Sequence, residues 1–186
     1  NVNSYIDMEA KKDFAKLLDE IAILVPQMRI RYTTSHPYDM TDELIETMAK
    51  HKNICNYIHL PVQSGSNRIL ELMNRHYSVE HYLERIRKIK ELIPNVALST
   101  DIISGFPTES EEDHKMTLDL MKEVRYDGAY MFNYSPRSKT KSYMMTDDVP
   151  VETKKRRLSE IIDIQNQIAS EINKNEIGNI HEVLVE

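Results

Sequence analysis

Apolar positions along the chain follow two different periods, and stretches with the two periods alternate. Helical spacing predicts helices over residues 9–25 and 151–176, and further helices that begin at Thr41, Ser66, Ser78 and Ser110. Apolar and β-branched runs predict strands over residues 28–33, 55–60, 96–103 and 128–134, after an extended segment at 1–6. Strands that alternate with helices in this order favour a parallel sheet with right-handed crossovers. We therefore predict an α/β fold with parallel strands and flanking helices.

Each predicted strand is followed by a short polar segment, most of them marked by Gly or Pro. The segments are NVNSY (1–5), TTSHP (33–37), VQSGS (62–66), SGFPTES (104–110) and SPRSKT (135–140). The carboxyl ends of parallel strands meet at one edge of a sheet, where ligands bind. We expect these segments to surround one ligand together, although any single segment is a weak signal.

The stretch YIHLPVQSGS, residues 57–66, shows the pattern best. Pro61 cannot donate to a sheet ladder, so the strand is expected to end there. Gln63 and Ser64 offer polar groups, and Gly65 allows a backbone to approach a ligand closely. The same residues also fit a plain strand-to-helix turn with Ser66 as the helix N-cap. The stretch alone does not decide between these readings.

Two charged residues at strand ends are candidates for ligand contacts. Asp101 lies inside an otherwise apolar run, where an unpaired carboxylate is expensive to bury. It therefore needs a partner or a position at the ligand edge. Arg137 offers a guanidinium for a carboxylate or phosphate, or is an exposed loop arginine. Glu109 is expected to be a surface group that complements the dipole of the helix beginning at Ser110.

Composition and charge exclude several classes of protein and site. The net charge of −6, from 24 basic and 30 acidic residues, argues against a self-sufficient nucleic-acid binder. The basic run 154–157 lies near the start of a predicted helix and is expected to be a solvated face rather than an RNA-phosphate patch. The one cysteine, Cys55, excludes a disulfide framework or thiolate metal site within the chain and is expected to be a small buried group. His59 is expected to be a satisfied interior histidine, and the histidine spacing matches no metal motif.

Read together, the polar segments resemble the methylthiotransferase family of radical SAM enzymes. The resemblance rests on RYTTSHP (31–37), LPVQSGSNRIL (60–70), STDIISGFPTESEED (99–113) and YSPR (134–137), with NVNSY at the start. These motifs follow in the family's order over essentially the whole chain. TSHP together with QSGS favours the branch that modifies N6-isopentenyladenosine in tRNA. QSGS alone also fits the branch that modifies threonylcarbamoyladenosine, which stays the near alternative.

The resemblance implies an enzyme that uses S-adenosyl-L-methionine (SAM) and two 4Fe-4S clusters to add a methylthio group to carbon 2 of N6-isopentenyladenosine beside the anticodon. Residues 1–178 would be the C-terminal portion of the radical SAM core, a partial TIM barrel, and 179–186 the first strand of a truncated RNA-binding TRAM domain. The chain lacks the cluster cysteines, so it would bind no metal and be inactive alone. The resemblance further implies a tRNA partner, no membrane contact, a cytoplasmic location and a monomer.

The resemblance also implies SAM contacts at the strand ends. In chain order these are Asn1 and Asn3 at the methionine amino group, Gln63 and Ser64 at the ribose, Asp101, Ile103 and Gly105 at the adenine, and Tyr134 and Arg137 at the adenine or the methionine carboxylate. Ser35 and His36 would face SAM or the substrate. The family continues YSPR with Pro-Gly-Thr, whereas this chain has Ser138-Lys139-Thr140. That difference leaves the shape of the loop open.

Two readings from other classes remain. One is a non-catalytic α/β module that binds SAM or RNA and has kept the barrel without the chemistry. A weaker one is an aldolase-like barrel, which requires a buried lysine at a strand end, and no polar segment offers one.

Overall fold

A three-stranded parallel sheet organises the chain. The computed structural model describes residues 1–33, 35–138 and 140–180. Its strands are β1 (Ile6–Asp7), β2 (Lys12–Asp13), β3 (Tyr57–His59), β4 (Ala97–Ser104) and β5 (Gly128–Asn133). Its helices are α1 (Phe14–Leu24), α2 (Asp42–Lys50), α3 (Asn67–Leu72), α4 (Val79–Leu92), α5 (Glu111–Val124) and α6 (Val151–Asn175). Short 3-10 turns span Val2–Ser4, Pro37–Asp39 and Lys141–Met144.

The sheet confirms the predicted α/β architecture. β3 pairs with β4 and β4 with β5, both in parallel, with Asp101 opposite Tyr130 and His59 opposite Ser99. Every connection between paired strands contains at least one helix, as parallel pairing requires. No closed barrel forms among the residues that the structure describes.

Local capping explains why most helices begin where the sequence predicted. Thr41 accepts a hydrogen bond from the Leu44 N–H, and Ser78 accepts one from the His81 N–H. Ser110 and Asp113 form a reciprocal capping box at the start of α5. α1 is the exception, because Asp13 caps it and it begins at Phe14 rather than near Glu9.

The predictions for two N-terminal segments were wrong in detail. The predicted extended segment 1–6 forms instead a 3-10 turn, and its last residue joins the antiparallel pair β1–β2. The predicted strand 28–33 is reduced to a single parallel bridge between Ile30 and Ile54. Ile30 is half-buried whereas Arg29 and Arg31 are exposed, so this segment has little apolar surface to hold it against the sheet.

The core lies between the sheet and helices α1 to α6. Its largest fully buried side chains are Tyr82, Tyr126, Met40, Leu44, Ile45, Ile54, Ile58, Leu60, Ile69, Leu70, Ile89 and Leu98. The Tyr126 hydroxyl donates to the Tyr82 hydroxyl at 3.0 Å, and Tyr82 donates to the Leu60 carbonyl at 3.0 Å. These bonds satisfy both buried phenols beneath the sheet edge.

The end of the chain lies partly outside the described residues. Residues 181–186, most of the expected TRAM strand, are among those left out, and so are Thr34 and Lys139. The expected domain boundary after 178 therefore remains a prediction. Within the described ranges, none of the helices combines the length and apolarity needed to cross a bilayer.

Candidate functional site

A cleft of about 710 Å³ opens at the carboxyl ends of β4 and β5. It lies at the sheet edge where the polar segments were expected to meet. Its lining combines residues from the ends of three strands with the turn after α3 and the 3-10 turn at 141–144. The lining residues are Gln63, Leu72, Met73, Asn74, Arg75, Asp101, Ile103, Phe106, Phe132, Asn133, Tyr134, Ser135, Arg137, Thr140, Lys141 and Ser142.

Gln63 continues the backbone pairing with β4 beyond Pro61, at the edge of the cleft. Its N–H donates to the Asp101 carbonyl at 2.8 Å, and its carbonyl accepts from the Ile103 N–H at 2.9 Å. Its φ of 72° lies in the left-handed region, which is uncommon for a residue with a Cβ. The residue is buried, yet its side-chain amide lines the cleft and bonds no other residue that the structure describes. Such an amide is available to a ligand.

Asp101 enters the cleft from β4 and is backed by a chain of polar side chains. His59 Nε2 lies 3.4 Å from Asp101 Oδ1, and His59 Nδ1 lies 2.9 Å from Ser99 Oγ. Ser99 Oγ in turn lies 2.6 Å from the Tyr57 hydroxyl. This confirms His59 as a satisfied histidine, and it places an imidazole beside the half-buried carboxylate of Asp101. Sequence reasoning missed Ser99, whose only signal was its place two residues before Asp101 on a strand.

The β5 tip supplies an aromatic ring and a free cation. Tyr134 donates its hydroxyl to the Ser142 carbonyl at 3.1 Å, and its ring meets Phe106 edge-on at 5.1 Å. Arg137 is exposed, and no carboxylate of the described residues lies within 4 Å of its guanidinium. Arg137 is therefore an exposed loop arginine that also lines the cleft, and the two alternatives for it both stand.

Beneath the β4 tip lies a buried ion pair that the sequence did not predict. Glu109 was expected on the surface, but it is 6% exposed, and its Oε2 accepts from Arg157 and from the Gly105 N–H, both at 2.8 Å. Burial raises the pKa of Glu109, against the effect of the Gly105 N–H and Arg157. The tip of β4 is therefore tied to helix α6.

The basic run 154–157 was likewise expected to be solvated, and this is wrong for two of its four residues. Lys154 and Arg157 are buried, whereas Lys155 and Arg156 are exposed. Lys154 reaches Asp147 at 2.5 Å and lies 5.4 Å over the Tyr134 ring. The helical period explains the split, because positions three apart share the face of α6 that packs on the sheet.

Gly105 has φ 73°, and a Cβ there would collide with the Lys154 side chain. This glycine is thus required by backbone conformation and by packing against α6. It does not itself line the cleft, although Ile103 and Phe106 on either side of it do.

Ser64, Gly65 and Ser66 stabilise the turn that leads into α3. Ser64 is fully buried, accepts from the Ser66 N–H at 3.2 Å and lies 3.5 Å from Thr117 Oγ1. Ser66 caps α3 as proposed and also donates to Asp113 at 2.6 Å. A Cβ on Gly65 would lie 2.5 Å from the Met116 carbonyl oxygen, so its close backbone approach is to α5 and not to the cleft.

The remaining predicted residues lie outside the cleft lining. Asn3 is buried and holds the backbone of His36 from both sides, donating to its carbonyl at 2.9 Å and accepting from its N–H at 2.8 Å. His36 meets Tyr77 edge-on at 5.3 Å. Ser35 is buried with no hydrogen-bond partner for its hydroxyl, and Asn1 is exposed. The structure joins the two N-terminal polar segments to each other rather than to the cleft.

Cys55 is half-buried rather than fully buried. Among the described parts of the chain, no three histidine, cysteine or carboxylate side chains converge as ligands for a metal ion.

Comparison with known proteins places these features in a family. Residues 5–121 match the radical SAM superfamily. The chain is 55% identical over 187 aligned residues to a tRNA-2-methylthio-N(6)-dimethylallyladenosine synthase of Chloroherpeton thalassium. It is 53% identical to the synthase of that name from Carboxydothermus hydrogenoformans. Both alignments cover the whole of this chain but only 42% of the relative, so the chain spans less than half the length of the curated relatives it matches.

Two solved structures share the fold at low sequence identity. Coproporphyrinogen III oxidase of Escherichia coli, described as a radical SAM enzyme, aligns with a TM-score of 0.60 and 20% identity over 72% of this chain and 31% of its own. Elp3 of Methanocaldococcus infernus, with its N-terminus deleted, aligns with a TM-score of 0.56 and 19% identity over 83% of this chain and 36% of its own. These likenesses concern the fold alone.

Proposed function

The chain belongs to the radical SAM superfamily, and we propose that it forms part of a tRNA methylthiotransferase that modifies carbon 2 of N6-isopentenyladenosine beside the anticodon. The identity of 53–55% to synthases of that name supports this substrate. The observation that carries the proposal is the cleft at the carboxyl edge of the sheet, with Gln63, Asp101 and Arg137 presented to one space. Because the relatives are longer, the activity belongs to the intact protein.

The residues that line the cleft fit SAM. SAM combines a carboxylate, an ammonium group, a ribose diol and a purine. Arg137 offers a fork of donors to the carboxylate, and Asp101 and the unpartnered amide of Gln63 offer acceptors and donors for the ammonium or the hydroxyls. Ile103 and the Phe106 ring offer apolar surface to the purine. A volume of about 710 Å³ lies in the range of small-molecule sites.

A four-iron cluster does not fit this chain. Such clusters are held by several cysteine thiolates, and the sequence has one cysteine. We propose that the ligands of both clusters lie in parts of the intact protein outside this chain, and that this fragment is inactive alone. A CxxxCxxC motif upstream of Asn1 in the full gene product is the expected source for the cluster at the cleft.

The proposed role of this chain is to bind SAM and to orient it. When bound beside the clusters, SAM would supply the radical and the methyl group, and the clusters would supply the electron and the sulfur. His59 lies 3.4 Å from Asp101, and the tip of β4 is tied to α6 through Glu109, so neighbouring side chains limit the movement of this side of the cleft. Such preorganisation is how a protein places reacting atoms in contact geometry. A tRNA substrate also implies a cytoplasmic setting.

The experiment that tests the proposal uses the intact gene product. After anaerobic reconstitution it is incubated with SAM, reductant and tRNA that carries isopentenyladenosine, and the nucleosides are then separated by mass spectrometry. We expect the appearance of 2-methylthio-N6-isopentenyladenosine. A product formed only from threonylcarbamoyladenosine would assign the enzyme to the neighbouring branch.

The single cysteine favours one second candidate, a non-catalytic module that binds SAM or RNA. It predicts that the reconstituted intact protein binds SAM or tRNA but shows no iron–sulfur absorbance and forms no methylthio product. Absorbance without SAM binding would contradict both candidates.

A further inference from the structure

One side of the cleft carries positive charge without compensation. Arg75 lies in the turn after α3, and Lys141 begins the 3-10 turn at 141–144. Neither cation lies within 4 Å of a carboxylate of the described residues, although the chain has a net charge of −6. Several cations elsewhere pair with carboxylates, as where Arg85 and Lys88 both contact Asp42. The two unpaired cations are therefore available to an anion from outside.

Hydrogen bonds position the backbone of Arg75 and the ammonium group of Lys141. Arg75 is half-buried, and its N–H donates to the Leu70 carbonyl at 2.9 Å. The preceding residue, Asn74, has φ 58° and accepts from Lys141 Nζ at 3.3 Å, which links the two turns. Burial lowers the pKa of His36, and the charges of Arg75 and His76 lower it further, whereas the charge of Asp39 raises it.

An exposed aromatic ring lines the same cleft. Phe132, on β5, is 54% exposed, and its ring packs against no other aromatic ring of the described residues. Its β5 neighbour on the same face, Tyr130, is 57% exposed. Exposed aromatic rings beside cations are how proteins bind single-stranded nucleic acids, since bases stack on the rings and phosphates pair with the cations.

We propose that Arg75, Lys141 and Phe132 form a nucleotide-binding rim that holds the unpaired loop of the RNA substrate beside the SAM site. A backbone phosphate binds between Arg75 and Lys141, and a loop base stacks on Phe132. The proposal rests on the proposed function, because it assigns the RNA-binding groups of that same cleft. Arg137 is left to the SAM carboxylate, so the cations of the rim and of the cofactor site are different residues.

The test measures binding of a fluorescent anticodon stem–loop RNA to the intact protein at several salt concentrations. Each phosphate contact contributes about 0.7 to the slope of log affinity against log salt for single strands. We expect Arg75→Gln and Lys141→Gln each to reduce the slope by about this amount, and Arg75→Lys to retain it. The matched controls Arg87→Gln and Lys122→Gln remove exposed cations outside the cleft lining and are expected to leave the slope unchanged.

Stacking leaves a different signature from phosphate contact. Phe132→Leu is expected to weaken RNA binding about ten-fold at every salt concentration without changing the slope. SAM affinity, measured on the same samples by calorimetry, is expected to stay unchanged in Phe132→Leu, Arg75→Gln and Lys141→Gln. Retained SAM affinity also shows that the variants are folded.

Three results would contradict the proposed nucleotide-binding rim. Equal RNA slopes in wild type, Arg75→Gln and Lys141→Gln would remove its phosphate contact while leaving the proposed function intact. A loss of SAM affinity in those variants, with RNA binding unchanged, would assign the cations to the cofactor. Tighter RNA binding in the variants would show that an acidic segment of the intact protein occupies the rim. Failure of the wild-type protein to bind RNA at all would instead count against the proposed function.

Discussion

Gly65 is the residue whose role the structure changed most. The sequence suggested that it brings the backbone close to a ligand, but the close neighbours are the Met116 carbonyl and the Thr117 Cα of α5, 2.5 and 2.6 Å from where a Cβ would be. The Gly65 N–H also donates to Thr117 Oγ1 at 2.9 Å. Because backbone cannot move aside as a flexible side chain can, this contact fixes the turn to α5.

We predict that Gly65→Ala destabilises the protein by about 2 kcal/mol or more, since the added methyl group must displace helix backbone. Chemical denaturation measures the change in free energy of unfolding. Gly128→Ala is the matched control, because a Cβ there would have open space around it. Equal losses from the two substitutions would contradict the packing role of Gly65.

The second prediction at this scale concerns Asp101 and Gln63. Alanine at either position removes a polar group from the cleft but takes little from the core, so SAM affinity should fall more than stability does. We expect affinity in the intact protein to fall about ten-fold, as for loss of one charge-assisted hydrogen bond. Calorimetry with SAM measures this, with Asp163→Ala, an exposed carboxylate on α6, as control. Unchanged SAM affinity in folded Asp101→Ala protein would refute its assignment.

Residue-scale predictions from the sequence succeeded where the cause was local. Asp101 stands out because a carboxylate interrupts an apolar run, and Gln63 because it follows a strand-ending proline. Ser99 and Glu109 were missed or misplaced, because their roles depend on His59 and Arg157, which lie 40 and 48 positions away along the chain. No local pattern carries that information.

At the scale of elements, helix α6 holds the β4 tip through the Glu109–Arg157 pair. Breaking a buried ion pair from one side deprives the remaining charge of its buried partner. Among the described residues, Arg157 would keep only the exposed Glu111 carboxylate and the Glu109 carbonyl, both within 2.9 Å. We predict that Glu109→Ala lowers the free energy of unfolding by about 3 kcal/mol. Glu109→Gln should lose less, since its amide oxygen can still accept from the Gly105 N–H.

The control for this prediction is Glu152→Ala, which breaks the exposed Lys155–Glu152 contact and should change stability by less than about 1 kcal/mol. Urea denaturation of the variants compares them directly. If Glu109→Ala were as mild as Glu152→Ala, α6 would not hold the tip through this pair.

Four helix starts were predictable from their capping residues, whereas the Asp13 cap of α1 was missed. Thr41, Ser66, Ser78 and Ser110 each accept a backbone hydrogen bond at the first turn of a helix, and a cap is legible in sequence. The segment 28–33 has strand-like alternation, but its pairing depends on a neighbour that offers only Ile54. Sheet pairing is a long-range property, so a strand pattern alone did not fix its length.

At the scale of the whole molecule, carboxylates bind the packed elements together. Burial opposes ionisation of Asp113, but hydrogen bonds from Arg68, Ser110 and Ser66 outweigh it and hold the pKa of Asp113 well below its usual value. Arg68 also bonds the Thr108 carbonyl at 2.7 Å, so α3, α5 and the β4 tip meet at this carboxylate.

A lowered folded-state pKa stabilises the protein above the unfolded pKa of about 4, and this contribution is lost as the pH falls below it. We predict that the free energy of unfolding decreases on acidification from about pH 5 to about pH 3, and that Asp113→Asn flattens this decrease. Urea midpoints at each pH measure it. An equally steep decrease in the variant would assign the acid sensitivity to other carboxylates.

The α/β architecture was predictable because stretches with helical and strand-like spacing of apolar residues alternate. The convergence of three polar segments at one edge of the sheet was predictable because its strands are parallel. The two N-terminal segments did not join the cleft, because Asn3 uses its amide to hold the His36 backbone. A hydrogen bond between two loops depends on their proximity in three dimensions, which the sequence does not show. The sequence therefore indicated one edge of the sheet correctly and overcounted the segments that reach the cleft.

We propose that this cleft serves methylthio transfer to tRNA. The most direct measurement is mass spectrometry of tRNA nucleosides from a host that lacks the modification and expresses the intact protein. Wild type and the Asp163→Ala control are predicted to produce 2-methylthio-N6-isopentenyladenosine, and Asp101→Ala, at equal protein level, to produce far less. Absence of that nucleoside with wild type would contradict the proposed methylthio transfer, and its full production by Asp101→Ala would contradict the role of the cleft in it.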